Sequence, residues 1–310
     1  MAAKSKSKQS DIHATQSTEE AFESILRKNY AYMLEWEPIA YKGEDIEGVH
    51  QVRVAYRRMR SALVIYRKAI PRTATDAIAN EMRWAAGQMG PARDLDVFID
   101  EGLQAMSSRI PLANGEKKML ELAIKHQKTA YTQVRRTISS ARYKKFKSNF
   151  ETWLDEKGWR NEGIPEKNLS LLDKGVTKYA VKVLNKRFTQ VLTAGEAMDK
   201  MGDEELHQLR IDCKKLRYAT EFFTPLFNKD GMANFTLHLK GLQGLLGVMN
   251  DVAVLPGLLE ILLKDEEDPE VIQYAGSIIG WRARQYEEIR GQLDDRWSTF
   301  ANSSFPWLRK

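Results

Sequence analysis

A chain of 310 residues, 43% hydrophobic and 29% charged, has the balance of a globular protein and the length for two domains or one large repeat. Its net charge of +6 is modest for that length, so the placement of the charge matters more than its sum. A single cysteine, Cys213, excludes an internal disulfide framework. It suits a reducing compartment. No apolar segment follows the lysines of MAAKSKSKQS, and no apolar run reads as a membrane span, so the expected location is the cytoplasm, without membrane contact.

Residues 1–17 are polar and read as a disordered arm. Helical periodicity starts at Thr18, behind a Ser/Thr cap, and places Phe22, Ile25, Leu26, Tyr30, Met33 and Leu34 on one face. A second helix carries VHQVRVAYRRMR and ends at Pro71; a third is expected from Thr75 to Met106 and a fourth from Asn114 to Leu154. Residues 155–168 are polar, lack periodicity and read as a linker. The helical pattern then restarts, with helices expected near 169–198, 203–227, 231–263 and 270–300. No alternating strand pattern appears. The expected fold is all-α: two four-helix bundles, 18–154 and 169–310, related by internal duplication and a pseudo-two-fold axis.

The duplication rests on a fixed offset. VHQVRVAYRRMR lies over LHQLRIDCKKLR, with His50 and His207 separated by 157 residues. The same offset aligns Arg53 with Arg210, Arg57 with Lys214, Arg58 with Lys215 and Arg60 with Arg217. It persists into RWAAGQMGPARD over KGLQGLLGVMND, where Arg83 meets Lys240, Gly87 meets Gly244, Gly90 meets Gly247 and Asp94 meets Asp251.

Helical phase separates two stripes on each basic helix. Val52, Tyr56, Met59, Leu63, Tyr66 and Ile70 form a core stripe, as do Leu209, Cys213, Leu216, Thr220, Phe223 and Phe227 in the second copy. About 100° around lie His50, Arg53, Arg57, Arg60 and Arg67, and in the second copy His207, Arg210, Lys214 and Arg217. A solvated face normally mixes signs to form ion pairs one turn apart. Val49 to Ile70 contains no acid, so the stripe points to a bound polyanion.

The histidines fit hydrogen bonding to an anion, with charge available near neutral pH. A metal is not expected, because neither helix offers a second ligand one turn on. Gly87, Gly90, Gly244 and Gly247 sit inside helical patterns, where each costs about 1 kcal/mol against Ala. Close approach of two helices explains them, with a ligand passing near the backbone as the alternative. Asp94 and Asp251 read as partners that orient basic side chains through buried Asp–Arg pairs.

The pattern H-x-x-R-x-x-x-[RK]-x-x-R, twice, each followed by G-x-x-G and Asp, resembles the CHAD domain over about Thr18 to Phe300. The resemblance implies paired four-helix bundles whose basic helices line a groove or pore for inorganic polyphosphate. The implied ligands are His50, Arg53, Arg57, Arg60, Arg83, His207, Arg210, Lys214, Arg217 and Lys240, with Arg58 and Lys215 as weaker ones. Many members carry a triphosphate-processing barrel; no strands are visible here, so the chain reads as a stand-alone form.

The expected activity is non-catalytic binding, with no cofactor and no metal. A hydrolase would need carboxylates converging on the basic face, and RDLD, ending at Asp96, is the only candidate. The rival readings are a nucleic-acid binder, a phosphotransfer module and a scaffold associated with polyphosphate or other storage granules. Single-strand binders add aromatic platforms, whereas Tyr56 and Tyr66 fall on the core stripe.

Overall fold

Ser17 starts the first long helix by a reciprocal cap. Its hydroxyl accepts from the Glu20 N–H at 3.2 Å, and its own N–H donates to the Glu20 carboxylate at 2.7 Å. The computed structural model describes residues 11–103, 112–161 and 163–308. From this start the chain runs through α1 (Thr18–Lys42), α2 (Glu47–Ile65), α3 (Asp76–Gln88) and α4 (Gly90–Val97). Next come α5 (Ala113–Ser139), α6 (Ala141–Asp155), α7 (Glu166–Leu172) and α8 (Val176–Gly195). The chain closes with α9 (Asp203–Phe223), α10 (Lys229–Leu263), α11 (Pro269–Arg290) and α12 (Leu293–Ala301). The fold is all-helical among the described residues.

The core stripes fall where periodicity puts them. Val52, Tyr56, Met59, Leu63, Tyr66 and Ile70 are all buried, and so are Leu209, Cys213, Leu216, Thr220 and Phe223. Phe227 is half-buried, and Leu34, expected in the core, is 37% exposed.

Several expected boundaries are corrected. The third helix breaks at Met89, because Pro91 lies in the first turn of the new helix α4. The Met106 end of that expected helix lies outside the described residues. The fourth expected helix breaks at Ser140, which is extended and caps α6 through the Tyr143 N–H at 3.2 Å. Among the described residues, α10 is the one helix long and apolar enough to cross a membrane by length and composition. Asn250, Asp251 and Pro256 interrupt its apolar pattern in sequence without ending the helix.

The arm and the linker are both built into the structure. Residues 1–10 lie outside the described residues, but Ile12 is fully buried, which corrects the disordered reading for 11–17. Ser17 forms a bridge pair with Gly175, and the Thr18 N–H donates to the Lys174 carbonyl at 2.7 Å. Trp159, in the expected linker, is fully buried and donates its indole N–H to Glu19 at 2.7 Å. Lys157 and Arg160 close on the same carboxylate.

The hydrophobic core follows the same logic and is not divided at 155–168. Its main cluster joins side chains of α1, α2 and α6 to those of α8, α9 and the first half of α10. A second cluster joins Leu95, Phe98, Met119 and Ala123 to Leu255, Leu259, Val271 and Tyr274.

Candidate functional site

Burying one stripe of α2 and one of α9 turns both basic stripes toward shared space. The two helices are in contact. Arg57 donates through Nε to the Tyr218 hydroxyl of α9 at 2.5 Å. Arg57 also bears electrostatically on Arg210 and Lys214, so cations far apart in sequence are neighbours in space.

The first-half residues are placed as follows. His50 is half-buried, and its pKa is pushed down to about 4 by burial and by Arg93, Arg57 and Arg53. It is therefore neutral near pH 7, which corrects the expectation of an available charge there. Arg53 donates to the Ala86 carbonyl, and burial lowers its pKa while Asp94 opposes the shift. Arg60 is half-buried and is lowered by burial and by Arg83. Arg83 is exposed and donates to Asn80 at 2.7 Å.

Arg58 is the clear departure. It is buried, 2.7 Å from Glu221 and 2.9 Å from Asn29, with its guanidinium over the Phe222 ring. It ties α2 to α1 and α9 and is removed from the ligand set. Its aligned counterpart Lys215 pairs with Asp212 at 2.7 Å and stays at the edge of the cleft.

In the second half, Arg210 and Lys214 are half-buried. Burial lowers Arg210, with Asp251 opposing and Arg57 adding to the shift. Lys214 is pushed down to about 8 by burial and by Arg210, Arg57 and Arg217. Arg217 lies 3.5 Å from Glu221 and over the Tyr218 ring. Lys240 is exposed on α10 and, like His50, Arg53, His207, Arg210, Lys214 and Arg217, lies outside the lining of the two basic cavities described below. His207 is exposed, with Nδ1 2.9 Å from the Asn250 side-chain oxygen. The two histidines thus differ: the Arg93 position that repels charge on His50 is Asn250 beside His207.

Asp94 and Asp251 act on Arg53 and Arg210 through space, in place of the expected buried pairs. Both are exposed at their surface, yet the surrounding walls desolvate them enough to raise their pKa. Asp251 also raises Asp94, so the two acids bear on each other across the two sequence halves. Nearby cations pull each of them back down. Arg282 of α11, not singled out from sequence, also bears on Asp251. Asp96, the candidate hydrolytic carboxylate, is turned inward and held by Gln127 at 2.8 Å and Tyr131 at 3.0 Å.

The glycines are corrected as well. A Cβ at Gly87, Gly244 or Gly247 would meet nothing within 4 Å, so these positions do not bring helices together. Only Gly90 of the four has a neighbour, the Arg53 guanidinium, 3.2 Å from where its Cβ would stand. Close helix approach occurs instead at Gly48, whose Cβ would lie 2.5 Å from the Ala40 backbone nitrogen, and at Gly115, whose Cβ would lie 2.5 Å from the Glu270 carbonyl oxygen.

Beside α2 lies a cavity of about 530 Å3, lined by Arg57, Arg60, Arg67, Arg72, Arg83 and Lys215, with Asp76 as its one carboxylate among the described residues. Val64, Ile65, Arg67 and Arg72 also wall a second cavity of about 410 Å3, completed by α8. Sequence reasoning left out Arg72, Lys182, Lys186 and Arg187. The available signal was α8 itself, which runs from Val176 to Gly195 without an acid. The Nε atoms of Arg67 and Arg210 are buried with no hydrogen-bond partner among the described residues. Such an arrangement holds positive charge at a desolvation cost that an anion would offset.

The CHAD domain sequence profile matches residues 24–260. The chain is similar to the crystal structure of the CHAD domain from the plant Ricinus communis, with 25% identity, a TM-score of 0.82 and 96% of each chain covered. PptA from Streptomyces chartreusis shares the fold at 15% identity and a TM-score of 0.66, over 91% of this chain and 100% of that one. Two uncharacterized proteins from strains of Mycobacterium tuberculosis are each 24% identical over 219 residues. That match spans 69% of this chain and 40% of theirs.

Proposed function

The chain belongs to the CHAD domain family, and from that premise we propose that it binds inorganic polyphosphate, without catalysis, in the basic cleft beside α2 and α9. The observation that carries this reading is the convergence of two cationic stripes, one on α2 and one on α9, that the Arg57–Tyr218 hydrogen bond joins. Arg57 bears on Arg210 and on the half-buried Lys214, and Lys214, which Arg210 and Arg217 also face, is held down at about 8. The family's link to polyphosphate supports the ligand class.

Arg offers paired N–H donors to phosphate oxygens, and Lys offers a point charge. Residues one turn apart stand about 5.4 Å apart along a helix, so a stripe can meet successive phosphates. Recognition follows the phosphate backbone alone. Tyr56 and Tyr66 are buried and give no stacking platform for bases, which disfavours nucleic acid.

The test is calorimetric titration with polyphosphate of defined length, on the wild type and on Arg53→Ala/Arg210→Ala. The double variant is expected to bind on the order of 100-fold more weakly, because each arginine takes a charge-assisted hydrogen bond to phosphate with it. Its affinity should also fall less steeply with salt. Unchanged binding sinks the site assignment. Release of free phosphate on incubation with polyphosphate and magnesium overturns the non-catalytic part.

A further inference from the structure

The cleft beside α2 does not end at its last aligned cation. Arg67 and Arg72 wall both the 530 Å3 cavity and the adjoining 410 Å3 cavity. The second cavity adds Lys68, Lys182, Lys186 and Arg187 to those two arginines, and no carboxylate among the described residues lines it. We propose that a long polyphosphate chain continues past Arg67 and Arg72 into this second cavity, where Lys182, Lys186 and Arg187 of α8 bind its distal phosphates. The proposal rests on the polyphosphate reading above and makes the site prefer chains longer than the first cavity holds.

Three observations carry it. First, the shared wall makes the basic lining continuous, and Arg67 at the junction has a buried Nε without a hydrogen-bond partner among the described residues. Second, α8 repeats the charge logic of α2. Lys178, Lys182 and Lys186 recur every four residues on a helix without an acid, so they share one face and lack one-turn partners of opposite sign. Arg187 meets Gln190 at 3.1 Å, and Lys182 and Lys186 enter no ion pair among the described residues. Third, the basic residues Arg27 and Lys28 of the first half, on the corresponding helix α1, are already paired with carboxylates: Arg27 with Glu23 and Asp155, and Lys28 with Asp11. The extension is therefore one-sided, and it gives the bound chain a direction that two equivalent stripes alone would not.

The apolar part of the wall, from Val64, Ile65, Leu171, Tyr179 and Val183, fits this role. It lowers the local dielectric around the cations and strengthens each contact to phosphate. Tyr179 is held in place by a hydrogen bond to the Ile65 carbonyl at 3.0 Å.

The experiment compares Lys182→Ala/Lys186→Ala with the wild type, titrated with tripolyphosphate and with long-chain polyphosphate. Both lysines are exposed, so their removal does not disturb the core. Long-chain affinity is expected to fall about tenfold, with a salt dependence shallower by roughly one unit of slope, because fewer phosphates are neutralised by the protein. Tripolyphosphate affinity should fall far less. Equal losses at both lengths, or none at either, overturn the continuation. So does an equal long-chain loss in Lys125→Ala/Lys128→Ala, whose lysines line neither cavity. If Arg53→Ala/Arg210→Ala binds both lengths as the wild type does, the cleft reading itself fails, and the continuation with it; the α8 variant cannot produce that result.

Discussion

Lys214 shows at the scale of one residue what an anion does to this cleft. Burial, Arg210 and Arg217 on its own helix and Arg57 on α2 push its ammonium down to about 8, against the pull of Asp251 on α10. The free protein therefore loses this proton as the pH rises through 8, while a bound polyanion favours the charged form and raises the pKa again. Binding near pH 8 should take up a proton, and affinity should fall as the pH rises from 7 to about 9. Calorimetry in two buffers of different ionisation enthalpy reads this directly as a difference in apparent binding enthalpy. Lys214→Arg should abolish the difference, and its absence in the wild type would count against Lys214 as a contact. His50 does not contribute in this range, because its own loss of charge is complete well below it, at about 4.

At the scale of the element, the glycine positions separate two meanings of the same residue. Gly87 on α3 and Gly244 on α10 have nothing within 4 Å of a would-be Cβ. Gly87→Ala and Gly244→Ala are expected to stabilise the protein by about 1 kcal/mol each, the ordinary helix preference for Ala. Gly48→Ala should destabilise it, because the α1 backbone stands 2.5 Å from the added methyl. Chemical denaturation of the three variants checks both signs. The faces of α2 and α9 were legible in the sequence, because apolar residues spaced by three and four leave little choice of which side is buried. The break of α3 was less so, since Gly90–Pro91 starts a new helix in a stretch whose periodicity continues. Arg58 could not be assigned from phase, because Glu221 and Asn29 reach it from other helices. The α8 lysines were visible as an acid-free run, but at the 157-residue offset Lys182 and Lys186 fall on Ile25 and Asn29, so the aligned repeat passes over them.

At the scale of the whole molecule, the two halves of the sequence share their hydrophobic clusters. Ser17 pairs with Gly175, α5 and α11 share the second cluster, and Lys118 of α5 sits 2.6 Å from both Asp268 and Glu270. The tightest of these ties is Glu19, 6% exposed, at the start of α1. Burial pushes its carboxyl up, but hydrogen bonds from Arg160, Trp159 and Lys157 outweigh that and hold it below its ordinary 4.5. Through Arg160, which also meets Asp173 at 2.7 Å, the carboxylate joins α1 to the segment between the halves. Glu19→Ala leaves the buried Trp159 N–H without its acceptor and is expected to cost about 2 kcal/mol. Because both clusters draw on both halves, that loss should appear as a lower midpoint of a single thermal transition, with equal calorimetric and van't Hoff enthalpies. Two separate transitions, one unchanged by the substitution, would show that the halves fold apart. The pH dependence has a definite sign. A carboxylate with a lowered folded-state pKa stabilises above its unfolded value and loses that contribution as the pH falls through the folded one. The gap between wild type and Glu19→Ala should be full at pH 7 and shrink below about 4.5 as the wild-type carboxylate takes up its proton.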